Sequence, residues 1–135
     1  VACPWLIVNF VDKEAEFIYV PTDKVIEKAK ELDAIPYDIP GVELTHEGEF
    51  CSFDAILKKY DLKDEALFRL ATIVRAADTD TLEKSAQAAG LFAISAGLSH
   101  NFKDDHEMLK HGMVMYDALY SWCKHVSDEI HKHNW

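Results

Sequence analysis

The chain has 135 residues, of which 49% are hydrophobic and 28% are charged, a mixture typical of one compact globular domain. Lys and Arg together number 14 against 24 Asp and Glu, which gives a formal net charge of -10. Because such a charge repels phosphate backbones and anionic lipid surfaces, direct binding to nucleic acid or to a membrane surface is disfavoured.

Cysteine usage and hydropathy indicate the compartment. The three cysteines show no CxxC spacing, which fits a reducing compartment better than a disulfide framework. No apolar run approaches the roughly 20 residues that span a bilayer, and no basic stretch precedes the first apolar run as in a signal peptide. We therefore predict a cytoplasmic protein with a single domain over residues 1–125 and a flexible tail over residues 126–135.

Two short strands are predicted first. The segments WLIVNFV (residues 5–11) and EFIYVP (residues 16–21) are rich in β-branched and aromatic residues, and the polar DKEA separates them. This pattern favours two strands or a β-hairpin.

An amphipathic helix and a long loop follow. In DKVIEKAKELDA (residues 23–34), which follows a Thr22 N-cap, the spacing of apolar residues predicts a short helix. Its apolar stripe consists of Val25, Ile26, Ala29 and Leu32. Prolines then interrupt the pattern between residues 34 and 50, and a loop of this length in a compact domain usually has a function or is disordered.

The remaining chain is predicted to be helical. Its segments are SFDAILKKY (52–60), KDEALFRLATIVRAAD (63–78), DTLEKSAQAAGLFAISAGLSH (80–100) and KDDHEMLKHGMVMYDALYSWCKH (103–125). The third is rich in Ala and Gly, so a neighbouring helix can approach it closely and we expect it to be central. The predicted fold class is α+β and mainly α, with the hairpin or two strands packed on a bundle of about five helices.

A cluster of metal-ligating residue types lies in the stretch GVELTHEGEFCSFDA, residues 41–55. His46 offers an imidazole, Asp54 and the glutamates offer hard oxygens, and Cys51 could add a thiolate. This mixture suits Fe(II), Mn(II) or Zn(II) better than Ca(II) or Cu(I). The alternative is that the acidic residues are exposed on the surface without a binding role, and that Cys51 is buried and inert.

Two helices carry further candidates. In the last helix an apolar stripe at helical spacing includes His106, with Asp105 beside it, so we expect this imidazole to face the core. The alternative is a core histidine bonded to a carboxylate or a backbone carbonyl. Asp78 extends the stripe of the second of these helices, and its alternative role is an N-cap for the helix that follows.

With these residues in view, the chain resembles the ChrB-type chromate resistance family. The matching stretches include PWLI (residues 4–7), AIPYDIPGVEL (34–44), CSFDA (51–55), IVR with ADT (73–79) and DDHEMLKHGM (104–113). The resemblance implies a role in chromate resistance or oxidative-stress defence. It covers the part equivalent to the carboxy-terminal half of longer members, which resemble transcriptional regulators, and does not imply that this chain binds DNA.

Carried onto the matching motifs, the resemblance places a site at His46, Cys51, Asp54, Asp78, Asp105 and His106. Our hypothesis is one transition metal ion, Fe or Mn first and Zn second, that acts on a small oxidant such as superoxide. This ion requires the loop to fold over the last helix and bring His46 towards His106. The alternative is a metal-free or metal-sensing regulatory or assembly domain, and the sequence leaves homo-oligomer formation open.

Overall fold

The computed structural model describes residues 1–32, 34–35, 52–79 and 81–126. All regular secondary structure in these ranges is helical. The α-helices are α1 (Ala2–Phe10), α2 (Val25–Leu32), α3 (Ser52–Lys59), α4 (Glu65–Asp78), α5 (Ala88–Asn101) and α6 (Asp105–Ser121). Single 3-10 turns at Thr22–Lys24 and Leu82–Lys84 precede α2 and α5, and a π-helical turn at Trp122–Val126 follows α6.

The predicted β-hairpin is wrong. The first apolar run forms α1, and residues 16–20 have no regular secondary structure and pair with no strand in the described part of the chain. Pro4 lies in the first turn of α1, where a missing backbone N–H breaks no intrahelical bond. Trp5 and Leu6 are buried, and α1 packs on both α3 and α6. Burial on several sides therefore outweighs the strand preference of this run.

The core is built around α4. This helix contacts α3, α5, α6 and the π-helical turn, and its inner face includes Leu67, Leu70, Ala71 and Val74, as the sequence predicts. Each large apolar side chain removed from water contributes about 1.5–3 kcal/mol. The largest fully buried side chains are Trp5, Leu6, Phe53, Ile56, Leu67, Leu70 and Cys123.

The Ala- and Gly-rich helix α5 is not central, contrary to expectation. It packs on α4 and α6, but Ala88 and Leu91 are its only buried residues. The predicted helical segment also splits, with a 3-10 turn before α5. The small side chains of α5 would allow another helix to pack closely on its outer face, but no helix in the described part of the chain does so.

Helix α6 and the π-helical turn confirm most of the predicted apolar stripe, which consists of Phe102, His106, Leu109, Met113, Tyr116, Tyr120 and Cys123. Leu109, Tyr116 and Cys123 are buried and face the body. His106 is exposed, because it lies in the first turn of α6, where the helix extends past the buried face. The interpretation of His106 as a core histidine is therefore wrong.

Residues 12–32, here called the arm, pack only loosely on the helical body formed by α1 and α3 to α6. No residue of α2 is buried, and α2 makes its main element contacts with its own 3-10 turn. The predicted amphipathic helix is confirmed, with Val25 and Ala29 half-buried and Ile26 and Leu32 exposed. Among the described residues, no helix has the length and hydropathy needed to cross a bilayer.

Candidate functional site

A groove of about 630 Å³ separates the arm from the helical body. The arm contributes Ile18, Tyr19 and the half-buried face of α2 to one wall, and the start of α1 with α3 to α6 forms the other. Most of the lining is apolar. The polar or ionisable side chains along it are those of Cys3, Tyr19, Lys28, Ser52, Asp78, Ser95, Ser99 and Tyr116.

His106 and Asp105 lie next to this groove, in the first turn of α6. The His106 ring meets the Tyr19 ring edge-on, with 5.2 Å between ring centroids. Burial raises the pKa of Tyr19, and the negative charge of Asp105 raises it further. Both Asp105 and His106 are exposed, and within the described part of the chain neither side chain has a hydrogen-bond partner. The structure therefore places these two predicted residues together and leaves their donor atoms open to a ligand.

Asp54 has a different environment. Its two carboxylate oxygens accept hydrogen bonds from Arg75, at 3.1 Å from Nε and 2.9 Å from Nη2. This bidentate ion pair is largely shielded from water, with 13% of the Asp54 side chain exposed. It joins α3 to α4, and metal binding by Asp54 stays a prediction.

Asp78 is the last residue of α4 and lines the groove. It is exposed and does not cap the following turn, whose N-cap is Thr81. The N-cap interpretation is therefore wrong for Asp78, and its role as a metal ligand stays a prediction.

His46 and Cys51 lie outside the described residues, and so does the predicted approach of His46 to His106. Within residues 1–32, 34–35, 52–79 and 81–126, no group of three or more His, Cys, Asp or Glu side chains has the geometry to hold a metal ion. Four predicted site residues, Asp54, Asp78, Asp105 and His106, are thus described, and Tyr19 lies beside the sequence neighbours Asp105 and His106.

Several polar residues in the matching motifs hold the fold together instead. The indole Nε1 of Trp5 donates to Asp117 Oδ1 at 2.8 Å, so a buried ring at the start of the chain is tied to α6. Tyr120 donates to Asp64 Oδ2 at 2.7 Å, and the other Asp64 oxygen caps α4 through Leu67 N–H. Sequence reasoning assigned no role to these contacts or to Arg75, because partners far apart in sequence leave no local pattern.

The Tyr120–Asp64 hydrogen bond also shifts the pKa values of both groups. Burial and the hydrogen bond to Asp64 raise the pKa of Tyr120 to about 12. Burial of Asp64 opposes ionisation, but the bonds from Tyr120 and from the backbone of α4 outweigh it and lower the pKa of that carboxyl. Both shifts favour a protonated phenol bonded to an ionised carboxylate.

Comparison with known proteins identifies the family. The model of the family described as "ChrB, C-terminal domain" matches residues 1–123. The curated Protein ChrB of Cupriavidus metallidurans (strain CH34) is 31% identical over 124 residues, which cover 90% of this chain and 36% of that protein. The chain therefore spans about a third of the length of that relative, and no solved structure matches it. With nearly its whole described length matched, the chain belongs to the ChrB C-terminal domain family.

Proposed function

We propose that this domain is the effector-sensing part of a chromate-resistance system, in which binding between the arm and the body changes the position of the arm. The observation that carries the proposal is the groove between the two. An occupant of this groove would contact Val25 and Ala29 of α2 on one side and Phe53 and Val74 of the core on the other. Binding energy would therefore couple directly to the arm, which is the general requirement for a ligand-driven switch.

The weak attachment of α2 supports this role. With no buried residue in α2, little apolar contact has to be broken to move it, and weakly packed segments are those that open at the lowest free-energy cost. A ligand that adds contacts on both walls would shift α2 towards the body. The body itself, fixed by its core and by the pairs Asp54–Arg75 and Trp5–Asp117, would stay unchanged.

Limited proteolysis tests the proposal. Trypsin cleaves after Lys28 and Lys30 in α2, and mass spectrometry can follow these cuts in the presence of chromate, Fe(II), Mn(II) or Zn(II). We expect one of these effectors to slow cleavage in α2 at least about 5-fold, since the bound state withdraws the arm from the protease. Sulfate, with the charge and shape of chromate, is the control for a general anion effect. Unchanged cleavage with every effector would reject the groove as a sensing site.

A matched pair of variants locates the effect. Ala29→Trp fills the groove from the arm, because Ala29 is half-buried and lines it. Ile26→Trp places the same ring on α2 at an exposed residue that does not line the groove. The proposal predicts that Ala29→Trp abolishes the protection and Ile26→Trp retains it. Equal responses would show that the effector binds elsewhere.

A second function, one transition metal ion at the start of α6, is proposed because Asp105 and His106 are adjacent and open. His46 and His106 would supply imidazoles, with oxygens from Asp54, Asp78 or Asp105 and a thiolate from Cys51; the ion would be Fe or Mn first and Zn second. These donors suit such an ion. Bound with an open position, Fe or Mn supplies one-electron chemistry towards superoxide. If the protein does not turn over superoxide, the same ion would give the domain a metal-sensing role.

Elemental analysis of protein purified without an affinity tag tests the metal proposal. Stoichiometric Fe, Mn or Zn in the parent protein, lost in both His46→Ala and His106→Ala, is the expected result. His111→Ala is the matched control, since His111 is also exposed on α6 but stacks on Phe102 and belongs to no predicted ligand set. A parent protein without metal, or a His106→Ala variant that keeps it, would reject the site.

A superoxide dismutation assay on the metal-containing protein then separates the enzyme from the sensor. Turnover above that of the free ion, lost in His106→Ala, is expected of an enzyme. Turnover at the free-ion level would assign the ion to sensing.

A further inference from the structure

The outer face of α5 is an uncharged surface on a strongly acidic protein. The 14 residues of α5 contain no Asp, Glu, Lys or Arg, although the chain carries a net charge of -10. Only Ala88 and Leu91 are buried. Phe92, 54% exposed, lines the groove, and Ile94, 55% exposed, lies outside it. An apolar helix with this exposure keeps a large hydrocarbon surface in water, which is unfavourable unless something covers it.

Small residues form a flat ridge along this face. Ala89, Ala93 and Gly97 follow one another at steps of four, so they lie in one row along the helix. The exposed side chain of Ile94 borders the row on one side, whereas Phe92, on the other side, lines the groove. Such a row of small residues allows the axis of a second helix to come within about 8 Å.

The glycines of α5 have no packing role in the described part of the chain. A Cβ added at Gly90 or Gly97 would meet no atom within 4 Å. Glycine inside a helix costs about 1 kcal/mol relative to alanine. The chain therefore accepts this cost twice in a helix whose own neighbours do not require it, which points to a surface used from outside.

We propose that the outer face of α5 binds the same face of a second copy of this chain. Two copies with a charge of -10 each repel one another over most of their surfaces. The α5 face is where two copies can meet without opposing like charges, and self-association needs a surface that complements itself under two-fold symmetry. In an antiparallel pair, Ala93 of each copy lies opposite Gly97 of the other, so small residues meet and both ridges come close.

The expected dimer is weak. A helix of 14 residues is about 21 Å long, and one such pair buries less than the roughly 1,200 Å² of a standard stable interface. We therefore expect a dissociation constant in the micromolar range. The charge also fixes the sign of the salt dependence: added salt screens the repulsion between copies and strengthens the dimer, whereas an interface of ion pairs would weaken.

Sedimentation velocity across protein concentrations from about 5 to 300 µM tests the proposal in the range expected for a small interface. The parent protein should pass from monomer to dimer, with tighter association in about 500 mM than in about 20 mM NaCl. Ala93→Glu should abolish dimerisation, because it puts two carboxylates at the centre of the contact. Ala118→Glu makes the same change at an exposed residue of α6 and should leave the dimer intact.

Gly97→Leu separates association from folding. Because the space above Gly97 is open and leucine favours helix over glycine, the dilute variant should melt at the same or a higher temperature than the parent. Its dimer should weaken at least 10-fold. A monomer at every concentration, as expected if α5 binds another part of a longer protein, would overturn the proposal. So would equal weakening by Ala93→Glu and Ala118→Glu, or a lower melting temperature for dilute Gly97→Leu.

Discussion

The helical body and the arm show what an amphipathic pattern does and does not determine. Helices α2 and α4 both carry apolar stripes at helical spacing, and both form helices. In α4 the stripe is buried among neighbouring helices, whereas Ile26 and Leu32 of α2 stay about half exposed. The pattern therefore predicts the helix in both regions, but burial depends on partners elsewhere in the chain. This difference leaves the body closely packed and the arm loosely packed.

Replacing one buried and one exposed leucine by alanine should give the largest difference in the free energy of unfolding. Leu70 of α4 is fully buried, and Leu32 of α2 is 49% exposed. Leu70→Ala should lower the free energy of unfolding by about 3 kcal/mol, since it leaves a cavity in the core. Leu32→Ala should cost less than about 0.5 kcal/mol. Urea denaturation followed by circular dichroism measures both, and similar losses would show that the arm is an integral part of the core.

The ion pair of the body should likewise contribute more to stability than the ion pair of the arm. The Asp54–Arg75 pair is largely shielded, whereas Lys28 and Glu31 of α2 form a pair at 3.3 Å with both side chains well exposed. Asp54→Ala should cost about 2 kcal/mol, because it leaves a partly buried guanidinium without its bidentate partner. Glu31→Ala should cost less than about 0.5 kcal/mol. The same urea titrations give both values, and a negligible cost for Asp54→Ala would show that this ion pair does not stabilise the body.

The bond between Trp5 and Asp117 offers a more selective test of the body. Trp5 is 1% exposed, so Asp117→Ala should leave its indole N–H without an acceptor and cost about 1.5 kcal/mol. Asp117→Asn keeps an oxygen at the same place and should cost about half as much or less. Thermal unfolding compares the two variants. Equal melting temperatures for both would mean that this hydrogen bond contributes no stability.

Alkaline pH should also weaken the body, through ionisation of Tyr120. The folded-state pKa is raised to about 12 from an ordinary value of 10, so the contribution to stability is complete below pH 10 and is lost as the pH rises from 10 to about 12. The free energy of unfolding of the parent protein should fall more steeply over this window than that of Tyr120→Phe. Parallel curves would show that the bond to Asp64 does not persist in solution.

The sequence predicted the later helices well because their apolar periodicity is strong and local. Helices α3, α4 and α6 lie within their predicted segments, and the inner stripe of α4 was correct. Helix α1 was missed because WLIVNFV suits a strand by composition, and its burial against α3 and α6 is a property of the tertiary structure. Pro4, placed in the first turn, was the local signal for a helix start.

The candidate site was predictable in residue type but not in arrangement. Asp105 and His106 are neighbours in sequence, and the structure places His106 on the surface and not in the core as expected. The bond of Asp54 to Arg75 joins residues on different helices, so no spacing rule could identify it. The groove could not be predicted either. Its presence depends on α2 not being buried in the core, and the apolar pattern of α2 does not show this.

Native-state hydrogen exchange tests most directly whether the arm is held more weakly than the body. The account predicts that amides of α2, over residues 25–32, exchange on the order of 100-fold faster than those of α4 over residues 67–74, because α2 can open without disrupting the core. Equal protection of the two helices would contradict the account. It would mean that arm and body open only together, and a groove between them could not then serve as a switch.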